Sequence, residues 1–342
     1  MKINTIELFA GAGGLALGLE KANFNHLFLN EKDSNCCTTL SSNRPSWKVI
    51  HEDIHKIDFS AYINQVHLVT GGFPCQAFSH SGKRLGFEDT RGTLFFEFAR
   101  CIKETQPIGF LGENVKGLLT HDKGNTLKII IQVLEEMGYH VFAPKVLNAN
   151  DYEVAQKRER LLIFGVKKEY KDFFCFDTIP KKESINLKDI FYSGQYYVED
   201  ISNVSQIGSK YPKSKELLYK KIPQGGNWKN LSIEEQKLYL GKMFDSEGGK
   251  TGILKRLSMN EPSVTILTQP TQKQTERCHP LYDRPLTIRE SARVQSFPDD
   301  WIFSGSISSQ YRQIGNAVPP NLAFHIGKYL FPQFINFLKN HV

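Results

Sequence analysis

The run Ile3-Asn4-Thr5-Ile6-Glu7-Leu8-Phe9 leads straight into Ala10-Gly11-Ala12-Gly13-Gly14-Leu15. Its first part is short, apolar and β-favouring, and residues 14–22 (GLALGLEKA) have helical spacing. A strand that ends in glycines and opens a helix begins a βαβ unit. Glycines at that turn let the backbone bend tightly and approach a ligand. The next strand, HLFLN at 26–30, ends at Asn30-Glu31, where Glu31 is placed to accept hydrogen bonds from ribose hydroxyls. Asp53 follows the strand-like KVIHE and is placed to meet an adenine amino group. An ordinary turn with two exposed acids explains less than a nucleoside cofactor does, because strand, glycines and acid fall in register. The cofactor itself stays open on these residues: Gly11-x-Gly13-x-x-Ala16 also fits a relaxed dinucleotide pattern, which keeps a nicotinamide oxidoreductase in play.

Outward from this loop the pattern repeats. HLVTGG at 67–72 and IGFLGENV at 108–115 read as strands. LFFEFARCIKET at 94–105 and NTLKIIIQVLEEMG at 125–138 read as helices, the second stopping at a C-terminal glycine. Stretches near 140–150 and 160–166 form a late hairpin pattern. Strands alternating with helices predict a mostly parallel α/β sheet covered on both faces. After residue 180 the texture changes. Residues 180–283 hold PK, YPKSK, PQGGN and EGGKTG, with 16 Lys+Arg against 12 Asp+Glu. Helical spacing returns at 287–295 and 320–340. The expected organisation is a first domain at 1–179, a loop-rich second domain at 180–283, and a segment at 284–342 that returns to the first.

Composition bounds the rest. The chain has 342 residues, 40% hydrophobic and 23% charged, which is globular and sufficient for about two domains. No apolar run reaches the roughly 18 residues of a membrane span. The N-terminus lacks a basic region followed by an apolar core, so no signal peptide is expected. Six cysteines without a C-x-x-C pair disfavour secretion, a structural zinc site and a disulfide scaffold; no metal is expected. The net charge of +7 permits a polyanionic partner without requiring one.

Thr70-Gly71-Gly72-Phe73-Pro74-Cys75-Gln76 places a cysteine beyond a strand's C-terminal end, where open α/β sheets bind ligands. A thiolate there is a candidate nucleophile, although a single cysteine is more often a small buried hydrophobe. Its company shifts the balance. Glu113 ends another strand and is expected to share that edge. Gln156-Lys157-Arg158-Glu159-Arg160 precedes a further strand, and in extended chain Arg158 and Arg160 point the same way.

With these residues in view, the chain resembles the DNA (cytosine-5)-methyltransferases of bacterial restriction–modification systems. The matching elements run in the family's order. They are FAGAGG at 9–14, NE at 30–31, ED at 52–53, GGFPCQ at 71–76, DTRGTLFFE at 89–97 and ENV at 113–115, then QKRERLLIFG at 156–165, RPLTIRESARVQSFPDDW at 284–301 and QIGNAVPPNLA at 313–323. Only 180–283 stands largely outside them. The nicotinamide reading accounts for the first loop alone.

The resemblance implies a Rossmann-like S-adenosylmethionine-dependent methyltransferase sheet with a smaller, loop-rich target-recognition domain at 180–283. It implies methyl transfer to C5 of a cytosine flipped out of double-stranded DNA, with S-adenosylhomocysteine as product. Cys75 would attack C6, Glu113 would act at N3, and Arg160, supported by Arg158, would hold the O2 region. Phe9, Gly11, Gly13, Gly14 and Leu15 would contact the cofactor, with Glu31 on the ribose, Asp53 and Ile54 near adenine, Phe73 beside the nucleophile, and Asn316 and Val318 at the methionine end. The segment 79–93, carrying Lys83, Arg84 and Arg91, would close over DNA. Lys250, Lys255, Arg256, Lys273 and Arg277 are candidate DNA contacts in the second domain. A monomer in the bacterial cytoplasm with the nucleoid is expected, beside a cognate restriction endonuclease and away from any membrane. An RNA cytosine methyltransferase and a non-catalytic DNA-binding module are the competing readings; the second would not need Cys75, Glu113 and the paired arginines together.

Overall fold

The computed structural model describes residues 1–74, 94–191, 207–245, 252–274 and 276–341. Cys75, Lys83, Arg84, Arg91 and Lys250 lie outside the described residues, as does the whole expected 79–93 lid. The chain divides into two compact units. The first comprises Met1–Tyr152, Glu159–Lys182 and Val318–Val342; the second comprises Glu153–Arg158 and Glu183–Ala317.

The first unit is built on a sheet. Its strands are β1 (Ile3–Leu8), β2 (Phe24–Glu31), β3 (Val49–His51), β4 (Leu68–Gly71) and β5 (Gly109–Val115), then β6 (Tyr139–Val141), β7 (Lys145–Asn148) and β9 (Glu159–Lys167). β8 (Gln156–Lys157) lies between them in sequence but belongs to the second unit. The order is β3-β2-β1-β4-β5-β9-β6, with β7 also paired to β9. The first five strands are parallel, and β9 runs antiparallel to β5, β6 and β7. β4 and most of β5 are buried at every successive residue rather than alternately, as expected for strands covered on both faces. The order reverses between β1 and β4, and that switch point is where an open α/β sheet leaves a crevice beyond its strand ends. Both the glycine loop and the approach to Cys75 leave the sheet there.

Helices α1 (Gly14–Lys21), α2 (Ser34–Asn43), α3 (Leu94–Thr105), α4 (Asn125–Glu136) and α10 (Pro320–His341) complete the first unit. α1 and α10 meet closely because glycine removes side chains at the contact. A Cβ on Gly18 would lie 2.4 Å from both the Ala323 Cβ and the Pro320 carbonyl, and one on Gly327 would lie 2.6 Å from the Ala22 Cβ. Phe73, Phe95, Phe98 and Phe110 form an aromatic line through the core between β4, β5 and α3.

The second unit contains α5 (Leu187–Phe191), α6 (Lys213–Tyr219), α7 (Ile233–Leu240), α8 (Ile288–Val294) and α9 (Ile307–Asn316). β10 (Ser263–Val264) pairs with β8 in a two-residue parallel ladder. Its aromatic core includes Tyr211, Tyr219 and Trp228, packed with Leu240, Ile253 and Leu254. The division corrects the expected organisation at its far boundary. The chain rejoins the first unit at Val318, not at 284, because α8 and α9 pack within the second unit. Tyr311 of α9 donates to the Leu286 carbonyl and accepts from the Ser209 amide, and its hydroxyl is thereby fixed inside that unit.

Candidate active site

β1 ends in strained backbone. Phe9 has φ 57°, a left-handed conformation that is costly for a bulky residue, and Gly11 and Gly13 follow at φ 54° and 80°. The loop is pinned from β2: the Ala10 amide donates to the Asn30 carbonyl at 3.0 Å, and the Gly11 amide to Glu31 Oε2 at 2.8 Å. Glu31 Oε1 accepts the Lys32 and Asp33 amides at 2.7 and 2.8 Å. Glu31 therefore shapes the loop and stands beside it. Asn30, buried, donates its amide to the carbonyls of Ile50 and Glu52 and ties β2 to β3. Asp53 accepts from Lys32 Nζ at 2.6 Å and from the His55 ring at 2.7 Å; these bonds hold its carboxyl well below the usual carboxylate range. Leu15 and Ile54 are buried apolar walls at 5% and 4% exposure.

α1 opens at Gly14 with no capping side chain of its own. The buried Glu7 carboxyl lies beneath the helix's first turn, where the Ala16 backbone and the Thr70 side chain favour its charged form and its Oε2 is without a hydrogen-bond partner among the described residues. Glu7 is 1% exposed, and burial pushes its carboxyl up to about 8. A folded-state value above the ordinary 4.5 means the folded protein keeps a proton that the unfolded chain loses. Stability from this group is full below pH 4.5 and declines as pH rises towards 8. Glu7→Gln should therefore match the wild type at pH 4.5 and exceed it at pH 8.5, by on the order of 4 kcal/mol. Thermal melts across that range test this; parallel curves for the two proteins would contradict it. Neither Glu7 nor Asn30 stood out as a site residue from the sequence, although an acid inside the run INTIELF is the available signal.

The candidate catalytic edge lies on β4, β5 and β9. Glu113 and Arg160 come together: Arg160 Nε lies 2.7 Å from Glu113 Oε1, with both side chains 11% exposed. The antiparallel register, which sets Val115 opposite Arg160 and Glu113 opposite Leu162, brings the two side chains to the same strand end. Burial lowers the Arg160 value and the Glu113 carboxylate opposes that shift. The pair faces the segment entering Cys75. A Cβ on Gly72 would lie 2.8 Å from Glu113 Oε2, so glycine leaves room for the carboxyl. Asn114 Nδ2 donates to the Phe73 carbonyl at 2.7 Å, and its Oδ1 accepts the Val115 amide at 2.9 Å. Asn114 thus clamps the backbone two residues before Cys75. It is the residue of the ENV triplet whose part the sequence did not disclose.

Other expectations are redirected. The Phe73 ring is 2% exposed among Phe95 and Phe98, so what it offers at the strand end is backbone. Arg158 does not join Arg160. It is buried in the second unit, where Nη1 donates to the Ile266 carbonyl and Nη2 to those of Gly315 and Ala317, at 3.2, 2.7 and 3.0 Å. Its guanidinium is a strut between loops of that unit, in place of the expected support for Arg160. Asn316 is the exposed last residue of α9 in the second unit, whereas Val318 is buried in the first.

Four expected DNA contacts are likewise committed inside the second unit. Arg256, 5% exposed, binds the carbonyls of Tyr219, His279 and Tyr282 and the Asp283 carboxylate. Arg277, 8% exposed, donates to the carbonyls of Thr265 and Glu276. Lys255 donates to the Gly225 carbonyl, and Lys273 to that of Tyr239 while lying 4.7 Å over its ring. Such cations are spent on folding. Exposed lysines of this unit include Lys188, Lys210, Lys220, Lys229, Lys237 and Lys242. Cys278 and His279 serve local structure: the thiol donates to the Tyr282 carbonyl, and His279 Nδ1 accepts the amides of Leu281 and Tyr282. No helix among the described residues is long and apolar enough to cross a membrane.

A strained glycine loop on β1, an acid on β2 and a buried carboxylate–guanidinium pair beside Gly72 are the features to set against known enzymes. Comparison with known proteins places the chain. The family model for C-5 cytosine-specific DNA methylase matches residues 3–331. Type II methyltransferase M.Eco47II of Escherichia coli is 52% identical over 324 residues, covering 94% of this chain and 77% of its own. M.Sau96I of Staphylococcus aureus is 46% identical, covering 96% and 75%. Among solved structures, a prophage-encoded DNA modification methyltransferase from E. coli superposes with a TM-score of 0.75 at 25% identity, over 98% of this chain and 99% of that one. Spodoptera frugiperda DNMT2 shares the fold at a TM-score of 0.66 and 14% identity, over 96% and 99%. The chain belongs to the C-5 cytosine-specific DNA methylase family and is a DNA (cytosine-5)-methyltransferase.

Proposed function

We propose that this enzyme methylates cytosine C5 within a specific double-stranded DNA sequence, as the modification partner of a restriction endonuclease acting on the same site. The Glu113–Arg160 pair carries the reading. A buried anion and cation, joined at 2.7 Å beside the entry to a cysteine loop, fit a base that must be polarised at adjacent polar positions before a thiolate attacks it. The names of the similar methyltransferases, all Type II, support the restriction–modification setting. A monomer working on cytoplasmic DNA accords with it.

The residues at the glycine loop suit S-adenosylmethionine. Gly11 and Gly13 allow close approach, Glu31 offers a carboxylate to ribose hydroxyls, Asp53 an acceptor to adenine, and Leu15 and Ile54 an apolar bed. Bound there, the cofactor supplies an electrophilic methyl group. The protein's part is to make C5 nucleophilic. The Cys75 thiolate forms a bond to C6, and the electron pair of the C5–C6 double bond moves towards C5 and the N3–C4 system. Glu113 delivers or shares a proton at N3, and Arg160 holds the O2 region. After methylation a base removes the C5 proton, and the returning electron pair expels the Cys75 thiolate. A duplex cytosine cannot reach this edge while stacked, so it must be flipped out, as the handling of bases by methyltransferases in general requires. The second unit would read the sequence, with Lys220, Lys229, Lys237 and Lys242 available to phosphates.

In vitro methylation of a plasmid, followed by bisulfite mapping, tests the reading; a protein that binds S-adenosylmethionine but leaves every cytosine unmodified would refute it. Glu31→Ala should weaken S-adenosylmethionine binding by roughly 10-fold or more, through lost charge-assisted hydrogen bonds and a loosened Gly11 turn. Calorimetry with S-adenosylmethionine and with NAD provides the check, and unchanged affinity in the variant would remove Glu31 from the cofactor site.

A further inference from the structure

Between β10 and Glu276 the second unit holds a stretch without helix or strand, residues 265–274. Backbone that lacks a ladder must be fixed by side chains. Here the fixing converges on one buried carboxylate. Glu276 is 0% exposed. Its Oε1 accepts Lys215 Nζ at 2.7 Å and the Tyr239 hydroxyl at 3.0 Å, and its Oε2 accepts the Tyr219 hydroxyl at 2.8 Å. Lys215 extends the network to the loop by donating to the Thr271 carbonyl at 3.3 Å. Tyr239 extends it again, with its carbonyl and ring holding the Lys273 ammonium. The Lys215 ammonium also lies 5.3 Å over the Tyr211 ring, which stacks on Tyr219. α6, α7 and the loop are therefore joined through a single charged group.

A buried ion pair is a poor way to gain stability, since apolar residues of similar volume generally serve as well or better. What it provides is direction. The loop so held exposes Gln269, Gln272 and Gln274, whose uncharged amides both donate and accept, as base edges require. Its single lysine, Lys273, is held by Tyr239.

We propose that Glu276, with Lys215 and Tyr239, is the positioning device for target-sequence choice: it sets the conformation in which residues 268–274 meet base edges. The proposal rests on the reading of the second unit as the target-recognition unit. These residues touch neither cofactor nor reacting atoms, so their loss should alter which sites are modified and leave the chemistry at the correct site intact.

The test uses the full-length enzyme and duplexes carrying the mapped site or its single-base variants. Tyr239→Phe removes one hydrogen bond to Glu276 and keeps the ring under Lys273, so it should fold; Glu276→Gln is the stronger companion. Tyr239→Phe is expected to lower the ratio of kcat/KM between correct and mismatched sites by about 5- to 20-fold, a fraction of what one mismatched base pair typically costs. Both kcat at the correct site and the KM for S-adenosylmethionine should stay within about twofold. Gln269→Ala and Gln272→Ala run in parallel. If they change discrimination while folded Tyr239→Phe and Glu276→Gln do not, the positioning role is overturned and the recognition reading stands. If none of the four changes it, the loop does not read bases and the proposal falls with that reading. A drop in kcat at the correct site equal to that at mismatched sites would also refute it, since that is the signature of general destabilisation.

Discussion

Cys75→Ser is expected to reduce methyl transfer by at least about 10³-fold while leaving folding and S-adenosylmethionine affinity near wild type. Attack on C6 needs an anion, and a hydroxyl near neutral pH supplies far less of it than a thiol does. The backbone that leads up to Pro74 is held without help from sulfur. The Asn114 amide holds the Phe73 carbonyl, Phe73 is seated in the aromatic core, and Glu113 stands over Gly72. The substitution should therefore separate chemistry from architecture. DNA carrying 5-fluorocytosine sharpens the measurement, because an adduct with no C5 proton to lose cannot eliminate the thiolate. The wild type should give a protein–DNA species that survives denaturant, and Cys75→Ser should give none. Methylation by the serine variant within tenfold of wild type would remove Cys75 from the role of nucleophile.

What local chemistry writes into a chain was legible here. INTIELF followed by glycines is a strand and a turn because β-propensity and φ freedom are properties of neighbouring residues, and β1, the loop and α1 appear where that reading puts them. The Glu113–Arg160 contact was not legible: local pattern set Glu113 beside Cys75 and Arg160 beside Arg158, and it is the antiparallel pairing of β5 with β9, absent from an expected mostly parallel sheet, that brings the two together. Arg158 obeys no local rule either. Spacing of two in extended chain predicts a shared side, yet Glu153–Arg158 belongs to the second unit and Glu159 begins the return to the first. No local pattern marks that change of allegiance. The cations of the second unit fail in the same way. Arg256 and Arg277 look in sequence like any surface charges; their burial depends on carbonyls contributed from several separate segments. Composition also drew the far boundary too early, because α8 and α9 have ordinary amphipathic sequences and nothing in them names the unit they cover.

Glu113→Gln should lower kcat by about 10²- to 10⁴-fold, the range for loss of a positioned acid together with its electrostatic support. The amide keeps the shape and can still accept from Arg160 Nε, now 2.7 Å from Oε1, so the strand ends should remain in register. It cannot donate a carboxylic proton to N3, and it leaves the Arg160 guanidinium without its counter-charge in a site where burial already works against the charged form. Some stability will go with it, and assays should be run well below the variant's melting temperature. Arg160→Lys separates the two contributions. It retains a cation beside Glu113 but loses the planar fork, so the melting temperature should largely recover while the KM for DNA rises and kcat falls less than in Glu113→Gln. S-adenosylmethionine affinity should not move in either variant, since neither side chain touches the glycine loop or Glu31 among the described contacts. The decisive comparison is kcat at saturating DNA and cofactor. If folded Glu113→Gln turns over within tenfold of wild type, the carboxyl is part of the scaffold of β5 and β9 and the proton at N3 comes from elsewhere.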